Sequence, residues 1–473
     1  MANVKRAGRQ VLVGAAGEST GEDGWEEQVR PMNKTMTRRA LLRGTGVTAL
    51  AVSAGSLIGI LEARRAPAYA QTRKLHILQF VDFVPGGDEE LRRQIAEAGK
   101  MLGAAITFET INANDLQARI TAAIESRSGP DIVHLLHNWT HLYQGALTDV
   151  SDLADWKAKD QGGFYEMSLA SVSVGGKWLS LPSGITGVLI AYRKSWFDEV
   201  GAKEFPKTWQ EYREVGRKLK AMGRPFGQTL GHTWGDAPIF AYPYLWSWGG
   251  KEVEKDGKSV VINSKETMES LKFMVGLWRD AHDEAGVAWD DTNNNRAFNS
   301  GQISATLNGA SIYLAAKRNP DKIKGDKDRP LWQDILHAHL PAGPAGQFAY
   351  HLPFAHGIMK HSKEQKLAKE FLRWLHSKDQ FVKWFEAEGA YSVGSTTFWE
   401  THPLWEKFDV SLRPFRTAAR GARMFGHAGP PTARAGEAYS KYIIIDMYAK
   451  AVQGMPPADA AKWAEGELKK IYR

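Results

Sequence analysis

Lys74-Leu75-His76-Ile77-Leu78-Gln79-Phe80-Val81 is an apolar run that reads as a buried strand. Pro85-Gly86-Gly87 then makes a turn, and Asp88 is a candidate N-cap for a helix over residues 89–102. The alternation continues with a strand at 105–110, a helix at 114–126 and a strand at 131–136. Strand, helix, strand, helix, strand at this spacing predicts an α/β domain around a mostly parallel sheet.

Further along, a second α/β region starts near Lys177-Trp178-Leu179-Ser180-Leu181-Pro182, with a strand at 187–192. Helices are expected at 209–222, after Pro206-Lys207-Thr208, and at 265–285. Residues 320–329 read as a charged loop. Residues 363–388 read as helical, with Leu367, Phe371, Leu375, Phe381 and Phe385 facing inward. Residues 438–473 read as two helices separated by Gln453-Gly454-Met455-Pro456-Pro457. Most of the 17 tryptophans are structural on this reading. Trp209, Trp278, Trp374 and Trp384 lie on expected helices, and Tyr242, Tyr244, Trp246 and Trp248 read as core.

The first seventy residues carry an address rather than a fold. Thr37-Arg38-Arg39-Ala40-Leu41-Leu42-Arg43 precedes an uncharged, glycine-interrupted stretch at 44–61, and Ala68-Tyr69-Ala70 is an A-x-A cleavage pattern. Arg38 and Arg39 with Ala68 and Ala70 resemble a twin-arginine export signal. The stretch is at the lower length limit for a membrane span, and its glycines and cleavage site favour the signal. Residues 1–70 hold 10 of the 61 Lys and Arg and 6 of the 53 Asp and Glu, so the net charge falls from +8 to +4 over the remaining 403 residues. That balance gives no footing for nucleic-acid binding. The absence of cysteine excludes disulfides, thiolate metal sites, a cysteine nucleophile and a lipidated N-terminal cysteine. The expectation is a periplasmic protein, not lipid-anchored, exported by the twin-arginine route.

The order of local patterns resembles the extracellular solute-binding proteins (family 1) of ABC importers, which include maltose binders. Gly129-Pro130-Asp131-Ile132 and Gly145-Ala146-Leu147-Thr148-Asp149-Val150 match its early steps. Gly176-Lys177-Trp178-Leu179-Ser180-Leu181-Pro182 matches its crossing segment, and Tyr192-Arg193-Lys194 its "Y-N-K" step. Pro206-Lys207-Thr208-Trp209-Gln210-Glu211-Tyr212 is close to "P-K-T-W-D-E-F". Phe298-Asn299-Ser300-Gly301-Gln302 with Leu307-Asn308-Gly309, and Ala368-Lys369-Glu370-Phe371-Leu372, complete the series. The resemblance implies a two-lobed α/β periplasmic binding protein (type II, Venus-flytrap) with crossover hinge strands. Lobe I would be residues 71–181 plus 350–395, and lobe II residues 182–349 plus 396–473. It implies hinge closure over a small-molecule ligand, probed next by ABC permease subunits, with no catalytic residue, no cofactor and no metal. The chain would act as a monomer.

The resemblance also places candidate ligand contacts. Asp82 and Phe83 follow the first strand, and His137-Asn138-Trp139 follow the third. Asn138 falls at a ligand-contacting aspartate of the maltose binders, and Thr186 at a ligand-binding glutamate. Their glutamate and stacking tyrosine fall at Ala237 and Ile239, so Trp234 and Asp236 are the substitutes. Asn308 keeps the asparagine of the N-G turn, Tyr439 aligns with a stacking aromatic, and His351 marks the return into lobe I. With these exchanges the maltodextrin pattern does not carry over, and the expected ligand is a sugar or other polyhydroxylated solute. Few arginines fall in the aligned loops, which disfavours a strongly anionic one.

Two rival readings are weaker. His134, His137 and His141, with His337 and His339, suggest metal uptake, but they share no helical face and no carboxylate clusters with them. An exported glycoside hydrolase needs paired carboxylates. The nearest pairs, Asp290-Asp291 and Glu386/Glu388, read as solvated loop and helix charges.

Overall fold

Strand β1 (Arg73–Phe80) begins the part of the chain that the computed structural model describes, residues 73–473. The leader assigned to 1–70, with Arg38, Arg39, Ala68 and Ala70, lies outside the described residues. β2 (Ala104–Ile111) and β3 (Ile132–Leu136) pair with β1 in parallel, and the Pro85–Leu102 and Ala113–Ser126 helices connect them. β1 is apolar on both faces because both are covered. Leu75 and Ile77 pack with Leu91, Ile95, Leu367 and Phe371, whereas Leu78 and Phe80 join Leu116 and Ile120. Asp88 is not the cap of its helix. Pro85 takes the first turn, and the Asp88 carboxylate reaches back to accept from the Asp82 N–H at 3.2 Å.

A short hairpin, β4 (Ser173–Val174) with β5 (Lys177–Trp178), precedes β6 (Leu181–Thr186). β6 still belongs to the first sheet, and after Gly187-Val188 the chain enters a second one as β7 (Leu189–Arg193). β8 (Ala305–Asn308) and β9 (Ile335–Ala338) flank β7, both antiparallel. β10 (Leu352–Ile358) and β11 (Ser392–Gly394) return to the first sheet, whose order is β11-β6-β10-β3-β1-β2. The parallel expectation therefore holds for β2-β1-β3 alone. β10 runs antiparallel to β3 and β6, because strands that come back without a crossover helix enter from the opposite end.

The Trp209–Ala221 helix starts on a capping box: Thr208 Oγ1 accepts from the Glu211 N–H at 3.2 Å, and the Glu211 carboxylate accepts from the Thr208 N–H at 3.1 Å. All twelve residues of the Asp236–Ser247 helix are buried, which explains its aromatic content on every side. The helical span at 363–388 breaks at His376-Ser377 into Gln365–Leu375 and Lys378–Glu388. The two helices expected over 438–473 are Ile443–Val452 and Pro457–Ile471, parted at residues 453–456, and a further helix, Ala433–Ser440, leads into the first. Among the described residues, no helix is long and apolar enough to cross a membrane.

Two buried polar devices hold this frame. In the first lobe, Lys157 Nζ donates to the Pro182 carbonyl at 2.6 Å and to His376 Nδ1 at 3.1 Å. His376 therefore carries its proton on Nε2 and donates it to His356 Nδ1 at 2.9 Å. Burial without a carboxylate partner pushes Lys157 down to about 7. At the crossing, His351 Nδ1 accepts from the Val188 N–H at 3.1 Å while Nε2 donates to the Ala418 carbonyl at 2.7 Å. His351 thus ties the outgoing crossover to the segment that precedes the returning β10. Leucine at 351 would strand both backbone groups in the interior. We expect His351→Leu to lose about 2 kcal/mol or more of stability in urea denaturation, and a loss under about 0.5 kcal/mol would show that the clip is dispensable.

Candidate functional site

The strand ends of the first sheet and the helix starts of the second lobe face one another across a closed cleft. Asp82 sits two residues beyond β1, its Oδ1 accepting from the Val84 N–H at 2.8 Å. Burial pushes Asp82 up to about 7 against that hydrogen bond, and the Asp88 charge adds to the rise. Glu388 ends the Lys378–Glu388 helix and is fully buried, and neither of its carboxylate oxygens has a donor among the described residues. Burial holds its proton on well above the usual carboxylate range, with the Asp82 charge second. The two carboxyls meet over Gly87. A Cβ there would lie 1.9 Å from Glu388 Oε1 and 3.3 Å from Asp82 Oδ2, so only glycine admits this approach.

Opposite them, Asp236 is the first residue of its helix. Its Oδ2 accepts from Asn294 Nδ2 at 2.6 Å and from Asn308 Nδ2 at 3.0 Å. Asn308 also donates to Asn295 Oδ1 and accepts from Ser311 Oγ at 2.9 Å. Asp291 closes this group by accepting from the N–H groups of Gly235 and Asp236 at 3.1 and 2.7 Å. Burial raises both acids, Asp291 to about 6 and Asp236 well above its ordinary value, the latter with help from the Asp291 charge.

Aromatic rings join the two sides. The Trp234 ring lies 5.5 Å from Phe80, 6.1 Å from Phe83 and 6.3 Å from His137, and Phe83 lies 6.4 Å from Tyr391. Gly309 lets Tyr391 approach the second lobe, since a Cβ there would lie 2.6 Å from its ring. Burial raises the Tyr391 hydroxyl well above its usual range, and the charges of Asp82, Glu388, Asp236 and Asp291 all add to it. Thr186, at the end of β6, bonds Ser392 Oγ at 2.8 Å beside the same contact.

The sequence candidates therefore divide. Asp82, Phe83, Thr186, Trp234, Asp236 and Asn308 gather around one site. His137, Trp139 and Tyr439 form an adjoining aromatic cluster. Tyr439 donates to the Trp234 carbonyl at 2.6 Å, so His137 Nε2 must donate to the Tyr439 oxygen at 2.9 Å, and Nδ1 accepts from Tyr350. Burial pushes His137 down to about 3 and keeps it neutral. Asn138 spends its amide on the Pro431 and Thr432 carbonyls at 3.0 and 2.9 Å, and His351 is the hinge clip. Both serve the frame rather than the cleft wall. Glu388 and Asp291, read as solvated charges from the sequence, are 0% and 7% exposed. That reading is corrected: packing by a distant segment buries each of them. Tyr391, Asn294 and Asn295 carried no local signal at all.

Two α/β lobes, crossed by strands and closed over an aromatic and hydrogen-bonding cleft, define a receptor of the periplasmic-binding-protein fold. The comparisons with known proteins agree. Residues 93–397 match the bacterial extracellular solute-binding protein family, and the chain belongs to it. It is 26% identical to the diacetylchitobiose binding protein DasA of Streptomyces coelicolor over 401 residues, 78% of this chain and 83% of that one. Maltose-bound MalE3 of T. maritima shares the fold at a TM-score of 0.70 and 22% identity, covering 85% of this chain and 100% of that one. A ribitol-bound solute-binding protein of Agrobacterium radiobacter K84 does so at 0.68 and 22%, covering 84% and 98%. The family and these neighbours are binding proteins rather than enzymes.

Glu388 keeps its proton in the folded chain to a higher pH than in the unfolded one. Folding therefore loses stability as pH rises beyond the ordinary carboxylate range, and glutamine at 388 lacks that dependence. We expect Glu388→Gln to gain on the parent from about pH 4 to about pH 8 in urea denaturation, by about 1 kcal/mol or more. A difference that stays constant with pH would contradict the placement of this group.

Proposed function

We propose that the protein captures a sugar or related polyhydroxylated solute between its lobes and hands it to the permease of an ABC importer. The observation that carries this reading is the flanking of Asp82, Asp236 and Asn308 by the rings of Phe83, Trp234 and Tyr391. Aromatic faces suit the apolar hydrogens of a sugar ring, and planar acceptors and amides suit its hydroxyls. Maltose, ribitol and diacetylchitobiose in the descriptions of similar proteins support the same class. We assign lobe I to residues 71–181 plus 350–395 and lobe II to 182–349 plus 396–473, with the first crossing drawn on to Gly187-Val188. No bond is made or broken, so the glycoside hydrolase alternative has no part in the mechanism: the cleft opens, takes solute on one lobe and closes the other over it. The twin-arginine leader would deliver a folded, unanchored monomer to the periplasm, where the permease subunits are its partners.

Thermal denaturation with a panel of monosaccharides, disaccharides and polyols tests this. A ligand at about 100 times its Kd stabilises the folded state by about 2.7 kcal/mol, a plain rise in Tm. The ligand should be recovered unchanged, and Trp234→Ala should weaken its binding about tenfold or more. A panel in which no member raises Tm, or a member that is consumed, would overturn the proposal.

A further inference from the structure

The cleft is acidic beyond what neutral hydroxyls require. Asp82, Asp236, Asp291 and Glu388 are all buried, and Asp88 is half-buried beside them. Among the described residues, no Lys or Arg nitrogen lies within ion-pair distance of any of the five. The nearest cations that act on them, Arg92 on Asp88 and Arg318 on Asp82, are exposed at the rim, where water screens them. Asp236 and Asp291 at least receive donors from Asn294, Asn308 and the start of the Asp236–Ser247 helix. Glu388 receives no amide or backbone donor: both oxygens are buried, against the Asp82 carboxyl and beside the Ser392 hydroxyl and Tyr391.

Buried carboxyls are ordinarily paired, because desolvating an isolated charge is expensive. Two that crowd one another ionise together only when a cation joins them. Aromatic faces beside such a pair favour a cation further through their quadrupoles. We propose that the solute carries a protonated amine on its hydroxylated frame, as in an amino sugar or amino polyol, with Glu388 and Asp82 as its counter-ions and the rings of Phe83, Trp234 and Tyr391 around it. The assignment rests on the sugar reading above and narrows it. Asp236 and Asn308 then serve the hydroxyls, because their polar atoms already form a fixed lattice of donors and acceptors. The amine replaces the protons that Asp82 and Glu388 retain in the empty cleft, so its binding releases protons to solvent.

Matched triads test this by calorimetry on the full mature chain. Glucosamine is compared with N-acetylglucosamine and glucose, and chitobiose with diacetylchitobiose and cellobiose. The amine of a triad should bind at least about tenfold more tightly than its neutral partners. It should release protons, seen as a heat that changes with the buffer's ionisation enthalpy. Glu388→Gln and Asp82→Asn should each reduce the ratio of amine to neutral affinity within a triad towards unity, whatever they do to the affinity the three members share. Neutral members that bind as tightly as the amine would overturn the charge assignment and leave the sugar reading standing. A preference that survives both substitutions would also overturn it. If no member of either triad binds, the sugar reading falls and takes the amine with it.

Discussion

Four buried carboxyl groups with no cation beside them come together where the two lobes meet, and the rest of the site is arranged around that burial. Asp82 and Glu388 come from one lobe, Asp236 and Asp291 from the other. Each needs a neighbour that tolerates it. Gly87 yields room for the first pair, Asn294 and Asn308 donate to Asp236, and two backbone N–H groups hold Asp291. A cleft of this kind is costly to hold shut by itself and gains from any solute that supplies donors or charge. The tension is useful in a receptor that must close on ligand and open to release it.

Movement of that kind needs a defined pivot. The chain passes from the first sheet to the second through Gly187-Val188 and returns just before β10, and His351, on the return, bonds the Val188 N–H through one ring nitrogen and the Ala418 carbonyl through the other. Neither nitrogen is free for a ligand. His137 is likewise committed, between Tyr350 and Tyr439, and so is His376, between His356 and Lys157. Burial keeps these rings neutral, which suits their use as fixed donors and acceptors rather than as charges. Of the histidines that suggested metal uptake in the sequence, His137 has both ring nitrogens engaged in internal hydrogen bonds, and His141 bonds the Ala170 carbonyl at 2.8 Å.

Local patterns carried much of the fold. The period of β1, the helices that alternate with β2 and β3, and the Thr208 capping box are short-range features, decided within a few residues by propensity and burial. The site was legible only where a contact follows directly on such an element. Asp82 and Phe83 sit just past β1, and Asp236 at a helix start. Glu388 was opaque for the opposite reason: an acid on the last turn of a helix looks solvated until a separate loop packs over it. The same holds for Asp291, which becomes a buried cap only because residues 235–236 arrive some fifty positions away in sequence.

The sequence by itself determined the class of fold, the likeness to a solute receptor and the aromatic and polar character of the cleft loops, because those follow from periodicity and from motif order. Only the tertiary structure decided which polar groups are spent on the frame and which line the contact between the two lobes. Asn138 and His351 lie in cleft-bordering segments yet satisfy backbone groups, whereas Glu388 and Tyr391 complete the wall. That division depends on which chain segments meet over each side chain, and a buried donor or acceptor must be satisfied by whatever meets it there.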